Sequence, residues 1–204
     1  MSDPTAEDLN VSRETFERLK TFEATILKWN PRINLISRNS VRDLWTRHII
    51  DSLQVFRSVD PKPNWVDIGS GGGFPGVIVA IAAHEEAPET HVTMVESDQR
   101  KSAFLRSAAR ECGISCTVIA KRIEKVTPMA ADILSARALA DLSDLFEFSE
   151  RHLSPTGTAI FPKGETWKKE VEAARQRWNF DLNALTSFTN TEAAILKIRS
   201  ITRV

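Results

Sequence analysis

The stretch Trp65-Val-Asp-Ile-Gly-Ser-Gly-Gly-Gly-Phe-Pro-Gly76 decides the fold of this 204-residue chain. Its first four residues have the apolar character of a buried strand, and a glycine-rich turn and a helix predicted from Pro75 follow. Such a turn presents free backbone N–H groups and the positive end of a helix dipole at the carboxyl end of the strand. We therefore expect a polar or anionic ligand to bind there.

On the C-terminal side of this stretch, short apolar runs alternate with helical ones. Strands are predicted over 65–68, 91–96, 115–120, 131–136, 157–162, 180–188 and 193–201, and helices over 75–83, 101–112, 142–153 and 167–178. Strands separated by helices imply right-handed crossovers and a mostly parallel sheet. Because the last two strands are joined by a short connection, the predicted fold class is α/β, with a mostly parallel seven-stranded sheet that contains one antiparallel strand.

Residues 1–62 are predicted to form a helical N-terminal extension. Ser12 is a plausible N-cap of an amphipathic helix that we expect to stop at Asn30-Pro31, and a second helix is predicted over about 41–56. Pro61 and Pro63 mark the boundary to a core over 63–204. With 42% hydrophobic and 26% charged residues, the composition is that of a single globular domain.

Charge and cysteine content exclude several classes of protein. Lys plus Arg (27) balances Asp plus Glu (27), so net charge alone predicts neither nucleic-acid binding nor membrane attraction. No window has the roughly 18 apolar residues of a membrane span, and no targeting segment is evident, so we expect a cytoplasmic protein. Cys112 and Cys116 are too few ligands for zinc; we expect free thiols and no metal.

Two nucleotide-cofactor fingerprints overlap in the glycine turn. Gly71 to Gly76 fits the G-x-G-x-x-G of dinucleotide sites, whereas Asp67 to Gly73 fits the D-x-G-x-G-x-G typical of S-adenosylmethionine enzymes. The strand runs directly into Gly69, which favours the second pattern. Glu96 ends the next strand, where a carboxylate can accept hydrogen bonds from both ribose hydroxyls of either cofactor. A nicotinamide-dependent oxidoreductase therefore stays an alternative, although the chain has no tyrosine for a Tyr-Lys proton donor.

Five stretches in the same order resemble the ribosomal RNA small subunit methyltransferase G family, also called glucose-inhibited division protein B. They are Lys28-Trp-Asn-Pro-Arg-Ile-Asn-Leu-Ile-Ser37, Arg47-His-Ile-Ile-Asp-Ser-Leu53, Val66-Asp-Ile-Gly-Ser-Gly-Gly-Gly-Phe-Pro-Gly76, Lys121-Arg-Ile-Glu124 and Ser135-Ala-Arg-Ala138. The resemblance extends from the first helix to Lys163-Gly164. The chain departs from it at Gly72 and Phe74, where relatives often have Pro and Leu.

This resemblance implies a Rossmann-like class I methyltransferase fold with S-adenosylmethionine as the methyl donor. It implies methyl transfer to N7 of a guanine in the decoding-region loop of 16S rRNA, in the small ribosomal subunit or an assembly intermediate. We expect a monomer with no obligate protein partner. A ribosome-assembly binder that lacks catalysis is a further alternative, which the intact glycine turn disfavours. The family's cofactor contacts fall on Gly69, Phe74, Ile123, Glu124 and Arg137, and the glycine turn and the second strand add Gly71, Gly73 and Glu96.

We assign no catalytic residue, because the lone pair of guanine N7 needs placement against the methyl group and no general base. Arg137 ends the predicted fourth strand, where it can hold cofactor or a phosphate; an ion pair with Asp132 or Asp141 is the alternative. We expect His84, His91 and His152 at the surface or at element ends. His48 is predicted either near the RNA or cofactor or as a core residue.

Basic residues cluster locally over 28–47 and 99–125 and are candidates for phosphate contacts, although an ordinary solvated face explains them equally well. The candidate RNA-binding residues are Arg38, Arg47, His48, Arg100, Lys101, Arg122 and Lys163. The N7 edge of a guanine in an A-form helix faces a groove too narrow for protein. We therefore expect the target base in a loop and naked duplex as a poor substrate.

Overall fold

A computed structural model describes residues 4–37 and 39–204 of the chain. Within these residues the sheet has seven strands: β1 (Asn64–Ile68), β2 (His91–Val95), β3 (Thr117–Ile119), β4 (Ala131–Ala136), β5 (Leu153–Lys163), β6 (Trp178–Thr186) and β7 (Ala194–Arg203). The α-helices are α1 (Arg13–Ile33), α2 (Asp51–Arg57), α3 (Gly76–Glu86), α4 (Gln99–Glu111), α5 (Leu142–His152) and α6 (Trp167–Ala174). Arg38, a predicted RNA-binding residue, lies outside the described residues.

The strand order is β3-β2-β1-β4-β5-β7-β6, and β7 runs antiparallel to both of its neighbours while the other pairs are parallel. This confirms the predicted α/β fold class with one antiparallel strand. From β1 the chain adds β2 and β3 on one side and then crosses to β4 on the other. The carboxyl ends of β1 and β4 therefore form a switch point, where open sheets of this type bind ligands.

Apolar side chains cover both faces of the sheet. On one face the N-terminal helices pack against α3 and α4, with the Phe22 ring 5.4 Å from that of Phe74 and 6.3 Å from that of Phe104. On the other face Phe146 of α5 packs against Trp178 and Phe180 of β6. No helix in the described part of the chain is long and apolar enough to cross a membrane.

The first helix begins where the sequence predicts and ends three residues later. Ser12 caps α1 by accepting a hydrogen bond from the Thr15 backbone N–H. The prediction that the helix stops at Asn30-Pro31 is wrong, since Pro31 lies within its last turn. The Asn30 side chain accepts hydrogen bonds from the backbone N–H groups of Leu35 and Ile36. These bonds stabilise the last turn, although Pro31 has no backbone N–H to donate.

The second predicted helix is interrupted. Residues Asn39–Val41 form a 3₁₀ turn, Trp45–Ile50 form a π-helical segment, and a regular α-helix exists only over α2. Because the π-helical segment is only six residues long, hydrophobic periodicity does not separate it from an α-helical turn. The wide turn carries Arg47 and His48.

His152 lies at an element end, as expected, although its side chain is completely buried and not at the surface. His152 is the last residue of α5, and helical spacing places it on the same face as Leu145 and Ser149, which are also buried. Strand β5 begins at the very next residue, four positions earlier than predicted, so the chain is already inside the fold at this point.

Candidate functional site

A cleft of about 560 Å³ lies at the carboxyl edge of the sheet, at the switch point. Four segments that each follow a parallel strand line it, and the N-terminal extension adds Leu35, Ile36 and His48. The four segments are the glycine turn after β1, Val95–Ser97 at the end of β2, Lys121–Glu124 after β3 and Arg137–Leu139 after β4. The cleft has the size and position of a small-molecule site.

The glycine turn exposes backbone to this cleft. Gly71 has a positive φ of 51°, and a Cβ built on it would meet only the Gly69 carbonyl oxygen, at 3.7 Å, so the space above the turn is open. Gly73 has a φ of 85°, and a Cβ there would lie 2.6 Å from the Val77 side chain. Gly73, predicted as a cofactor contact, is absent from the cleft lining and instead permits close packing of the turn against α3.

Asp67 supports the turn from below. Its carboxylate is completely buried, and Oδ1 accepts a hydrogen bond of 2.7 Å from Ser135 Oγ. Ser135 Oγ in turn accepts one of 2.9 Å from Trp65 Nε1. Burial raises the pKa of Asp67 to about 6, because a charged carboxylate loses its hydration there. Asp67 does not line the cleft, so this acidic residue of the fingerprint has a structural position.

Glu96 joins the glycine turn to the end of β2. Its Oε2 accepts a hydrogen bond of 2.8 Å from Gly71 N–H, and its Oε1 accepts one of 2.8 Å from Asp98 N–H. The side chain is only 8% exposed yet lines the cleft. Since each carboxylate oxygen has a second lone pair, Glu96 can hold the turn and still accept two hydrogen bonds from a ligand.

Phe74 forms an aromatic and cationic cluster with His48 and Arg137. The His48 ring stacks on it with centroids 4.9 Å apart, and the Arg137 guanidinium carbon lies 4.9 Å from its ring centre. Phe74 itself is only 4% exposed, so it offers little surface on which a base could stack. Its main contribution is to position the two side chains that contact it.

Burial and two neighbouring cations keep His48 neutral. Burial, Arg137 and Arg47 together lower the pKa of His48 to about 3. Both ring nitrogens are buried and have no hydrogen-bond partner within the described part of the chain. His48 is thus a neutral imidazole at the cleft, with its hydrogen-bonding capacity unused.

Arg137 is fixed by the N-terminal extension. Its Nη1 donates a hydrogen bond of 3.1 Å to the Arg47 carbonyl oxygen, and burial lowers its pKa to about 10, which leaves it charged at neutral pH. The alternative that Arg137 forms an ion pair with Asp132 or Asp141 is wrong for the described residues. The guanidinium therefore remains available to an anionic or polar ligand.

The other predicted residues fall into two groups. Gly69, Ile123, Glu124, Lys101 and Arg122 line the cleft together with the residues above. Arg47, Arg100 and Lys163 do not line it: Arg47 is exposed, Arg100 pairs with Asp98 at 3.1 Å, and Lys163 pairs with Glu170 at 2.8 Å.

Sequence reasoning gave no site role to ten of the residues that line the cleft, among them Ile36, Lys121 and Leu139. Ile36 and Lys121 lie within the stretches that resemble the family, so the resemblance could have marked them as site residues. Leu139 directly follows the last of these stretches and carries no signal of its own. The residues that the structure describes contain no group of three or more His, Cys, Asp or Glu side chains suited to a metal ion.

The fold and the site together define a class. Among solved structures, the chain resembles a ribosomal protein L11 methylase from Lactobacillus delbrueckii subsp. bulgaricus, with a TM-score of 0.58 and 21% identity over 77% of this chain and 78% of that one. It also resembles a mutant of MtNAS in complex with S-adenosylmethionine, with a TM-score of 0.60 and 15% identity over 94% of this chain and 77% of that one. The protein has the Rossmann-like fold of class I methyltransferases.

Sequence comparison identifies the family within this class. The family model described as rRNA small subunit methyltransferase G matches residues 15–200. The chain is 64% identical over 201 residues to the ribosomal RNA small subunit methyltransferase G of Ruegeria pomeroyi, covering 98% of both, and 47% identical over 205 residues to that of Cereibacter sphaeroides, covering 100% of both. The chain therefore belongs to the rRNA small subunit methyltransferase G family, whose members are S-adenosylmethionine-dependent.

Proposed function

We propose that this enzyme transfers a methyl group from S-adenosylmethionine to N7 of a guanine in the decoding-region loop of 16S rRNA. Its substrate is the small ribosomal subunit or an assembly intermediate. The protein acts in the cytoplasm as a monomer, without an obligate protein partner. Methylation of small-subunit rRNA follows from the family; the target atom and the residue roles below are the further content of the proposal.

The cleft residues fit S-adenosylmethionine. The open backbone at Gly71 suits its polar amino-acid end, and the free lone pairs of Glu96 suit the ribose hydroxyls. Ile123 offers an apolar contact and Glu124 a polar one to the adenine. When bound, this cofactor supplies an electrophilic methyl group on a sulfonium.

The burial of both ring nitrogens of His48 is the observation that carries the choice of N7. Methylation of an amino or hydroxyl group requires removal of a proton, whereas the N7 lone pair of guanine reacts without one. A histidine with a pKa of about 3 is a poor proton acceptor, and the two oxygens of Glu96 already hold two backbone N–H groups. The arrangement therefore favours direct transfer, in which the protein positions its two ligands.

Exposed cations surround the cleft mouth. Lys121, Arg122 and the half-exposed Lys101 line the cleft, and Arg47 is exposed on the π-helical turn whose His48 also lines it. Together these four residues, here called the rim cations, can contact phosphates of a loop whose target base enters the cleft region. Binding to the ribosomal subunit is then expected to weaken steeply with salt.

The test uses small subunits from a strain that lacks the modification, together with S-adenosylmethionine labelled on its methyl group. We expect label in 16S rRNA that is released as 7-methylguanosine on digestion, and much less label in naked duplex RNA. Label on another atom would contradict the proposal.

A matched pair of variants ties this activity to the cleft. Gly71→Asp places a carboxylate in the open space of the turn, next to Glu96, whereas Gly71→Asn adds the same bulk without charge in a conformation that Asn tolerates. We expect affinity for S-adenosylmethionine to fall at least about tenfold more in the Asp variant than in the Asn variant. Equal affinities would show that the ligand does not lie over this turn.

A further inference from the structure

A second cavity, of about 620 Å³, adjoins the cofactor cleft. The segment Arg137–Leu139 lines both cavities, which therefore share a wall. The opposite wall of the second cavity comes from the end of β5 and from the link between β6 and β7. Methyl transfer requires a donor and an acceptor in adjoining sites, and the size of this cavity is typical of sites for small molecules.

Two of the charged residues that line the second cavity neutralise each other, and Arg137, Asp141 and Asp51 are the others. Lys163 Nζ donates hydrogen bonds of 2.8 Å to the Ala140 carbonyl oxygen and 2.8 Å to Glu170, so these two side chains neutralise each other. Ala194 and Ile195 are buried and contribute apolar wall. Asp51, the first residue of α2, adds a half-buried carboxylate for which the described residues show no ion pair.

One oxygen of Asp51 is held by the protein and the other is not. Oδ1 accepts hydrogen bonds from Ser187 Oγ at 3.3 Å, from Thr189 Oγ1 and from Gln54 Nε2 at 3.4 Å. For Oδ2 the part of the chain that the structure describes provides no donor. The carboxylate is thus fixed in place by one oxygen, while the two lone pairs of the other are free for a ligand.

We propose that the second cavity binds the target guanine, splayed out of its loop, and that Asp51 selects this base. The inference rests on the function proposed above. Oδ2 accepts hydrogen bonds from N1–H and from the 2-amino group, two adjacent donors that guanine alone among the four bases presents on its pairing edge. The proposal directs the opposite edge of the base, which carries N7, toward the wall shared with the cofactor cleft, Arg137–Leu139.

Asp51 also favours the transfer itself. The N7 lone pair forms the bond to the methyl carbon, the methyl–sulfur bond breaks with its electron pair left on sulfur, and no proton moves. Positive charge therefore passes from the sulfonium to the purine ring. A carboxylate fixed beside the purine stabilises charge that develops there in the transition state.

The test is Asp51→Asn with two substrates. Asparagine keeps an acceptor oxygen for the Ser187 and Thr189 hydroxyls but can place an amino group where Oδ2 was, against the two guanine donors. Adenine, with an acceptor N1 and a 6-amino donor, pairs with asparagine instead. Single-turnover rates are compared on small subunits that carry guanine or adenine at the target position. We expect the guanine rate to fall about tenfold or more, and the guanine-to-adenine ratio to fall by at least as much.

Two further variants keep the outcome decisive. Thr189→Val removes one hydroxyl that holds Asp51 and leaves the carboxylate, so it should keep the base ratio. Ala193→Phe fills the second cavity without touching the cofactor cleft; it should abolish saturable transfer to the subunit while S-adenosylmethionine binds normally. If Asp51→Asn does not fold, as judged by circular dichroism, Ala193→Phe decides the question.

The failure of this inference is distinguishable from the failure of the proposed function. If the wild-type enzyme methylates guanine N7 while Asp51→Asn keeps the wild-type base ratio, or Ala193→Phe keeps the wild-type transfer, the assignment of the second cavity is overturned. A slower Asp51→Asn variant with an unchanged ratio also overturns it, because a purely structural role would give that result. If the wild-type enzyme labels another atom, the proposed function fails first.

Discussion

Replacing Asp67 by asparagine should change how the stability of the protein depends on pH. Asp67 has a pKa of about 6 in the folded chain, against 3.8 for an ordinary aspartate. At roughly 1.4 kcal/mol for each pKa unit, this difference corresponds to about 3 kcal/mol. Burial disfavours the charged form in the folded state. The contribution of Asp67 to the free energy of unfolding is therefore fully present below pH 3.8 and is lost as the pH rises through 6.

The assay is urea denaturation of the wild type and of Asp67→Asn between pH 4 and pH 7.5. Asparagine does not ionise in this range and can still accept the hydrogen bond from Ser135 Oγ. The new amino group can lower the free energy of unfolding by an amount that does not depend on pH. This amount cancels when the change with pH of the difference between the two free energies of unfolding is measured. We expect the wild type to lose about 2 kcal/mol relative to the variant across this range. A difference that does not change with pH would refute the account of Asp67 as a carboxylate buried beneath the turn.

Three other substitutions test the packing and the RNA surface. Phe74→Ala should lower the free energy of unfolding by about 3 kcal/mol, because the His48 and Arg137 contacts are lost. Phe74→Leu should lower it by less than about 1.5 kcal/mol. Urea denaturation of both variants measures these costs, and equal costs would contradict the expectation. Arg122→Ala should reduce by about one the slope of the logarithm of the binding constant for small subunits against the logarithm of the salt concentration. Filter binding at several salt concentrations measures this slope. Arg177→Ala, just before β6 at the opposite edge of the sheet, should leave the slope unchanged. Ser12→Ala should destabilise the fold by about 1 kcal/mol through loss of the α1 cap, and an unchanged denaturation midpoint would show that the cap contributes nothing.

The sheet and its order of elements were predictable because their signals are local. Each strand is a short apolar run, each crossover a longer periodic one, and β4 (Ala131–Ala136) has the predicted bounds. The glycine turn located the cleft for the same reason, since one stretch carries strand, turn and helix start. Glu96 could be placed at the cleft because it ends the neighbouring strand, whereas its hydrogen bond from Gly71 N–H was not predicted.

The rest depended on contacts between distant parts of the chain. Asp51 is held by Ser187 and Thr189, which lie 136 and 138 residues further along the chain, and no local pattern marks that pairing. The second cavity exists only because the link between β6 and β7 meets the end of β5. The low pKa of His48 likewise arises from burial and from Arg137, neither of which is visible in its own helix.

The most direct test of the central claim is made in cells. The chain is expressed in a bacterial strain whose own 16S rRNA lacks the modification, and the nucleosides of purified 16S rRNA are identified by mass spectrometry, with Gly71→Asp as the paired control. We expect 7-methylguanosine to appear with the wild type, to map to the decoding-region loop, and to be absent with the variant. A methyl group found on any other nucleoside or atom, or 7-methylguanosine formed equally by both proteins, would contradict the claim.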